Sequence, residues 1–497
     1  MAEKLTPQQA QAVCDRGGKL LVSAAAGSGK TKVLVDRLMG YLTDPVAPAN
    51  LDDFLIITYT KAAASELRGK IAAKLSERIA QEPENRHLQR QMQRLFLTKI
   101  STVHGFCSDL LREYAYRLDL AADFRVADEN ECTEIRETVL HELLEQAYEN
   151  PEMIPDFRAF VDTQGLGRDD RLVPDIVQKV YDSARCHLDP EGWLEASTTG
   201  ADAGTFTDAG ETPWGRFLIR ELRTCLEGHT LVLTRCVEHL QAAGLEKPAA
   251  RVQDALNQLN WLKESATWDE VIARKDINYG RLTWGKNRDP ELEEKVKAAW
   301  DACKEAVKKK LRCFSSDSKQ ILADLAESGI CARGLIGLVK CFGLEYDRAK
   351  RSRRILDFGD LEHKTLDLVL GRKRIGPTAV AAEIGERFRE IMVDEYQDSN
   401  GVQDAIFSAL TQKRQNCFMV GDVKQSIYQF RLADPAIFLE KYHHYVPAGD
   451  VSPLQGRKVL LSSNFRSGAE VIRAVNDVFE TCMSPEVGGL VYGEEEA

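Results

Sequence analysis

Two short stretches of this chain carry side chains able to act on a phosphoanhydride. Residues 24–31 read AAAGSGKT, directly after an apolar run and directly before an amphipathic one. Small residues let a backbone fold around an anion so that its N–H groups point inward, and the N-terminus of the next helix adds positive potential. Ala24, Ala25, Ala26, Gly27, Ser28 and Gly29 form such a cradle. Lys30 would then reach the β- and γ-phosphates of a nucleotide, and the Thr31 hydroxyl would hold Mg²⁺. Ala24 stands where a glycine is usual, but another small residue serves there. A chance glycine-rich turn is the bland alternative, and the order strand, GKT, helix argues against it. The second stretch, residues 391–399, reads IMVDEYQDS and ends an apolar run in Asp394-Glu395. Adjacent acids at a strand end are more often a solvated turn. Paired with a phosphate loop, Asp394 suits holding Mg²⁺ through water, and Glu395 suits taking a proton from an attacking water.

Such side chains must be held by strands that end at one edge. Short apolar runs at 19–24, 54–60, 99–102, 391–394, 417–421 and 459–462 read as buried parallel strands. Amphipathic stretches such as 31–42 and 62–80 follow the early ones, so strand, turn and helix repeat as in a doubly wound α/β sheet. From about 128 to 350 the pattern turns helical, with charged amphipathic segments such as 131–148 and 291–312. The middle therefore reads as an all-helical domain inserted into one α/β domain. A small polar stretch at 197–213 reads as a disordered loop.

The bulk properties decide less. The 497 residues suffice for about three domains, and 66 Lys+Arg against 77 Asp+Glu give a net charge of -11. That balance argues mildly against a nucleic-acid partner, yet a local basic groove can bind phosphate on an acidic protein. The 12 cysteines show no zinc-finger spacing and read as reduced thiols. The N-terminus has no signal-peptide pattern and no run is long enough to span a bilayer, so a cytoplasmic protein without membrane contact is the expectation.

Further blocks give these motifs a family. DEYQD (394–398), VGDVKQSIYQFR (420–431) and LSSNFRS (461–467) together resemble the UvrD/Rep/RecB superfamily-1 DNA helicases. LTPQQAQAV (5–13) resembles their Q motif, ITYTKAAASEL (57–67) their motif Ia, and STVHGFC (101–107) the next DNA-contacting block. LDFGDLE (356–362) looks like the return into the motor domain after the insertion. The AAAGSGKT and STVHGFC blocks, the run VKQSIYQFRLADPAIF and the large insertion resemble most closely the AddA subunits of bacterial AddAB helicase-nucleases.

The resemblance implies a RecA-like P-loop NTPase domain. Its first segment would be 1–127 and its second 351–497, on either side of a helical domain at 128–350. It implies an ATP-dependent DNA helicase, 3′-to-5′ by analogy, acting in double-strand-break repair and recombination on single-stranded and duplex-end DNA with an AddB-like partner subunit. Gln9 would recognise adenine, Gln425 would contact the γ-phosphate and attacking water, and Arg466 would contact the γ-phosphate from across the cleft. An amide can orient water, and a guanidinium can fork onto phosphate. Tyr59 and Phe430 stand where relatives stack bases, with core packing as the alternative for each. Lys61, His104 and Arg431 would meet phosphate or sugar, and Tyr428 would relay between the DNA and ATP sites. Basic stretches at 274–288 and 348–354 are additional candidates for the DNA backbone, against the alternative of a solvated helix face.

A complete superfamily-1 motor needs a second RecA-like domain with an arginine finger, and no such motif follows Ser467. The expectation is a chain that retains some nucleotide and DNA affinity without unwinding DNA unaided. Two competing readings are a non-catalytic fragment that binds ATP, DNA or a partner subunit, and a transporter-type ATPase. The second would require an LSGGQ-like signature, which is missing.

Overall fold

A computed structural model describes residues 5–165, 170–199, 206–284, 289–427, 433–449, 452, 454–484 and 492–493. The strands are β1 Leu20–Ala24, β2 Phe54–Thr58, β3 Lys99–Thr102, β4 Arg125–Val126, β5 Ile355–Leu356, β6 Glu390–Val393, β7 Cys417–Gly421, β8 Val446–Pro447 and β9 Arg457–Leu461. Seven of them form one sheet in the order β3-β2-β6-β7-β1-β9-β8, every pair parallel, while β4 and β5 pair separately.

Strands β1, β2, β6 and β7 are almost wholly apolar because both sheet faces are covered. Alternate residues go to opposite sides: Leu20, Val22, Ile56, Phe418 and Val420 pack against the helix Lys30–Leu42. Leu21, Leu55, Ile57, Ile391 and Met419 pack against the helices Val103–Glu113, Phe358–Leu370 and Gly401–Thr411. The period of two along each strand thus builds two cores from one sheet. A buried ion pair ties the phosphate-loop helix to β6, with Arg37 Nη2 2.5 Å and Nε 2.8 Å from the Glu390 carboxylate. Because the strands are parallel, β1, β6, β7 and β9 all end at the same edge, where open α/β sheets bind ligands.

By compactness the chain falls into two units, one of Met1–Leu140, Lys179–Pro190 and Gly343–Ala497, the other of His141–Gln178 and Glu191–Phe342. The segment Lys179–Pro190 belongs to the sheet-bearing unit. There Arg185 Nη2 lies 3.2 Å from Asp360 Oδ1, and the Arg185 carbonyl accepts from His363 Nε2 at 2.7 Å. In the second unit the helices Pro213–Ala242, Glu246–Lys263 and Pro290–Leu311 close around Trp268, Trp300 and Phe314. The stretch expected as a disordered loop is partly ordered. Ala209–Glu211 is a turn with Ala209 and Gly210 buried, and its cap, Asp208, also accepts from the Trp268 backbone N–H at 2.9 Å. Residues 200–205 lie outside the described ones. Among the described residues no helix is long and apolar enough to cross a membrane.

Candidate nucleotide site and nucleic-acid face

The phosphate loop is held open by the last strand of the sheet. Ala25 N–H donates to the Leu461 carbonyl at 3.1 Å, and Phe465 N–H to the Gly27 carbonyl at 3.0 Å. Asn464 Nδ2 donates to the Ala26 carbonyl at 2.7 Å. With those carbonyls engaged outward, the loop can turn N–H groups inward, as an anion cradle requires. Gly27 (φ 72°) has no room for a side chain, since a Cβ would lie 2.8 Å from Asn464 Oδ1. Gly29 (φ 90°) makes the left-handed step that opens the helix Lys30–Leu42. Ala24 is buried at the end of β1, and Thr31 sits part-buried in the first helical turn.

Gln9 closes the loop's other flank. The helix Pro7–Cys14 starts with a capping box in which Gln9 N–H donates to Thr6 Oγ1 and Thr6 N–H to Gln9 Oε1, both at 3.1 Å. Its remaining amide donor reaches the Ser28 carbonyl at 2.9 Å. Gln9, Ser28 and Phe465 line a narrow crevice beside the phosphate loop.

Lys30 gathers the acidic and amide groups. Its ammonium donates to Glu395 Oε2 at 3.0 Å and to Gln425 Oε1 at 3.1 Å. Glu395 and Gln425 stand 365 and 395 positions from Lys30 in sequence, and the three meet because β1, β6 and β7 are adjacent. Glu395 takes a left-handed conformation (φ 52°) just past β6, which aims its side chain at Lys30 instead of along the strand. Burial, then the charge of Glu395, push Asp394 up to about 6 against the pull of Lys30. Asp398 is pushed up to about 6 by the same causes. Asp394 and Glu395 are adjacent and part-buried at the end of β6, and oxygen donors of this kind suit a hard divalent cation. Arg466 is exposed, with its Cβ against Gly27.

The candidate DNA residues divide. Tyr59 is half-buried at the end of β2, packs on the core, and its hydroxyl is bonded to Ser399, so core packing accounts for much of it. Burial drives its pKa up. Lys61 is exposed at the start of the helix Lys61–Gln81. His104 is partly exposed, its Nε2 3.1 Å from Glu362 Oε1 and its ring 4.7 Å from that of Phe358. Tyr428, Phe430 and Arg431 lie outside the described residues.

In the basic run 348–354 the expectation of DNA contact fails at Lys350. Lys350 is buried, donating to Asp357 Oδ2 at 2.8 Å and Asp360 Oδ2 at 2.5 Å, so it cannot face DNA. Arg348, Arg351 and Arg354 pair with Glu345, Asp347 and Asp123. In the stretch 274–288, Arg274 lies over Trp261 and Lys275 donates to the Phe314 carbonyl at 2.9 Å. Sequence reasoning missed Gln397, Asp422, Asn464, Glu362 and Phe358. All five stand inside motifs already singled out, and only their contacts mark them.

Comparison with known proteins gives the chain relatives and a family. Three relatives are named as ATP-dependent helicase/nuclease subunits of the A type. That of Acetivibrio thermocellus is 38% identical over 99% of this chain and 40% of its own length. That of Pelotomaculum thermopropionicum is 37% identical over 99% and 39%, and that of Geobacillus kaustophilus 36% over 98% and 40%. The chain thus spans about two fifths of the length of these relatives. The family described as UvrD/REP helicase N-terminal domain matches residues 5–446, and the chain belongs to that family.

Proposed function

We propose that this chain binds and turns over ATP as part of a DNA motor of the helicase/nuclease kind its relatives are named for. The observation that carries the reading is the meeting of Lys30, Glu395 and Gln425 at the carboxyl edge of the sheet. Lys30 would exchange its two present acceptors for β- and γ-phosphate oxygens, and the loop N–H groups would take the rest of the triphosphate. Glu395, released from Lys30, would accept the proton of a water that attacks the γ-phosphorus as the bond to the departing diphosphate breaks. Gln425 would orient that water, and Arg466 would balance charge on the γ-phosphate. Thr31 and Asp394 would hold Mg²⁺, which neutralises phosphate charge when bound. Gln9 would face adenine.

DNA would pass over the ends of β2 and β3, where His104, Lys61 and the exposed ring of Phe358 lie. An unspecific motor needs stacking and charge more than base-edge recognition. The whole protein's strand-separating activity, its nuclease and an AddB-like partner belong to this proposal by likeness to the relatives.

The test is titration of this chain with ATP and with a fluorescent single-stranded oligonucleotide. Lys30→Ala should lower ATP affinity about 100-fold, as loss of a charge pair at a phosphate does, and leave DNA affinity in place. Unchanged ATP affinity would mean that the phosphate site lies elsewhere.

A further inference from the structure

The groups around Lys30 form a closed ring of hydrogen bonds, and two of its members face away from the nucleotide. Lys30 donates to Glu395, whose Oε2 also accepts from Gln397 Nε2 at 2.9 Å. Gln397 Oε1 accepts the Asp422 backbone N–H at 2.9 Å. Asp422 Oδ2 accepts from Gln425 Nε2 at 2.8 Å, and Gln425 Oε1 returns to Lys30 at 3.1 Å. Gln397 and Asp422 are 2% and 1% exposed, so neither can touch a ligand in the cleft. Gly421 has no space for a side chain because a Cβ there would collide with Gln397 Oε1. The β7 end is therefore pressed onto this one amide.

A phosphate arriving at Lys30 breaks the ring at that residue alone. Glu395 and Gln425 then lose their shared cation but remain joined through Gln397 and Asp422. We infer that Gln397 is a positioning residue that couples the carboxylate of Glu395 to the γ-phosphate-sensing amide of Gln425. The amide is well suited to this. It donates to a carboxylate with one atom and accepts a backbone N–H with the other, which a carboxylate or an alkyl side chain of the same length cannot do. With both ends engaged, the 421–425 turn and the Glu395 side chain are set before nucleotide arrives, and little ordering is left for the bound state. This rests on the nucleotide reading above.

The experiment compares ADP with a slowly hydrolysed ATP analogue, ATPγS, by titration on the full chain. Gln397→Met keeps length and removes both hydrogen bonds. It should weaken ATPγS about five- to tenfold, the size of one or two lost hydrogen bonds, and leave ADP within about twofold. In a Gln425→Ala background the same change should add nothing, because Gln397 acts through that amide. Equal losses for both nucleotides, or full additivity with Gln425→Ala, would make Gln397 merely structural and overturn the inference. If Gln397→Met unfolds, Gln397→Glu keeps the acceptor for Asp422 and loses the donor to Glu395, and the same selective loss of ATPγS is expected. A parent chain that binds neither nucleotide would overturn the site reading itself, whereas binding of both with no preference change in either variant would overturn only the role of Gln397.

Discussion

Lys30 and Lys350 are each a lysine held by two acceptors, yet one can give up its partners and the other cannot. Lys30 donates to one carboxylate and one amide, and its side chain is 13% exposed at the open edge of the sheet. Lys350 donates to two carboxylates and is 2% exposed. Around Lys350, burial opposes the charge but Asp360 and Asp357 outweigh it, and the pKa rises. Asp357, which burial alone would raise, is brought well below the usual carboxylate range by Lys350. Such a cluster is expensive to break and has no route for a ligand. Lys30 meets one carboxylate and one amide at the sheet edge, and in the proposed site a phosphate oxygen would take the place of Glu395.

The largest effect should come from exchanging each lysine for methionine. Lys350→Met leaves Asp357 and Asp360 facing each other with Arg185, 3.2 Å from Asp360, as their remaining cation, and should cost about 3 kcal/mol of stability in urea unfolding. Lys30→Met should cost about 1 kcal/mol, since the Glu395 side chain is 41% exposed and can keep its bond from Gln397. Nucleotide binding should move the opposite way, lost at Lys30 and retained at Lys350 in whatever fraction stays folded. Equal stability losses would remove the distinction between a site and a strut.

This contrast also marks how far the sequence could be read. The phosphate loop, the DEYQD strand end and NFRS are local: residue type, order and flanking pattern are enough, and strand alternation placed them at one edge. Lys350 looked like part of a solvated or DNA-facing run because four other cations surround it in sequence. What buries it is the turn that brings Asp357 and Asp360 back onto the end of the helix Ser318–Ser352. Arg185 was equally invisible. It lies 175 residues from Asp360, in a stretch that reads as ordinary amphipathic helix. Gln397 and Asn464 sat inside recognised motifs, but a motif gives no partner for a side chain that faces inward.

A middle-sized effect tests the same buried cluster by pH. Burial, and then the Arg185 charge, lower His363 from 6.5 to about 4, and its ring donates to the Arg185 carbonyl in neutral form. As pH falls below 6.5 the unfolded chain takes up the proton first. This contribution is therefore complete above 6.5, drains between 6.5 and about 4, and changes no further below. The loss from this group should be on the order of 3 kcal/mol across that window. His363→Gln can keep the donor to the carbonyl without titrating, so its stability curve should be flatter there. An unchanged slope would mean that other groups of the cluster carry the acid sensitivity.

The smallest effect concerns the exposed members of the basic run. Arg351 pairs with Asp347 at 2.7 Å across one helical turn, and its side chain is 70% exposed. Exposed pairs of this kind contribute little, because water screens the attraction and two long side chains must be ordered. Arg351→Ala should therefore change stability by under about 0.5 kcal/mol. Its effect on single-stranded DNA affinity is the sharper reading. A cation already matched by an acid one turn away adds almost no net field for a phosphate to feel, so affinity should stay within about twofold at moderate salt. A tenfold loss would mean that the ion pair opens to receive DNA. The run 348–354 would then contain a lysine that is a strut and an arginine that behaves like Lys30.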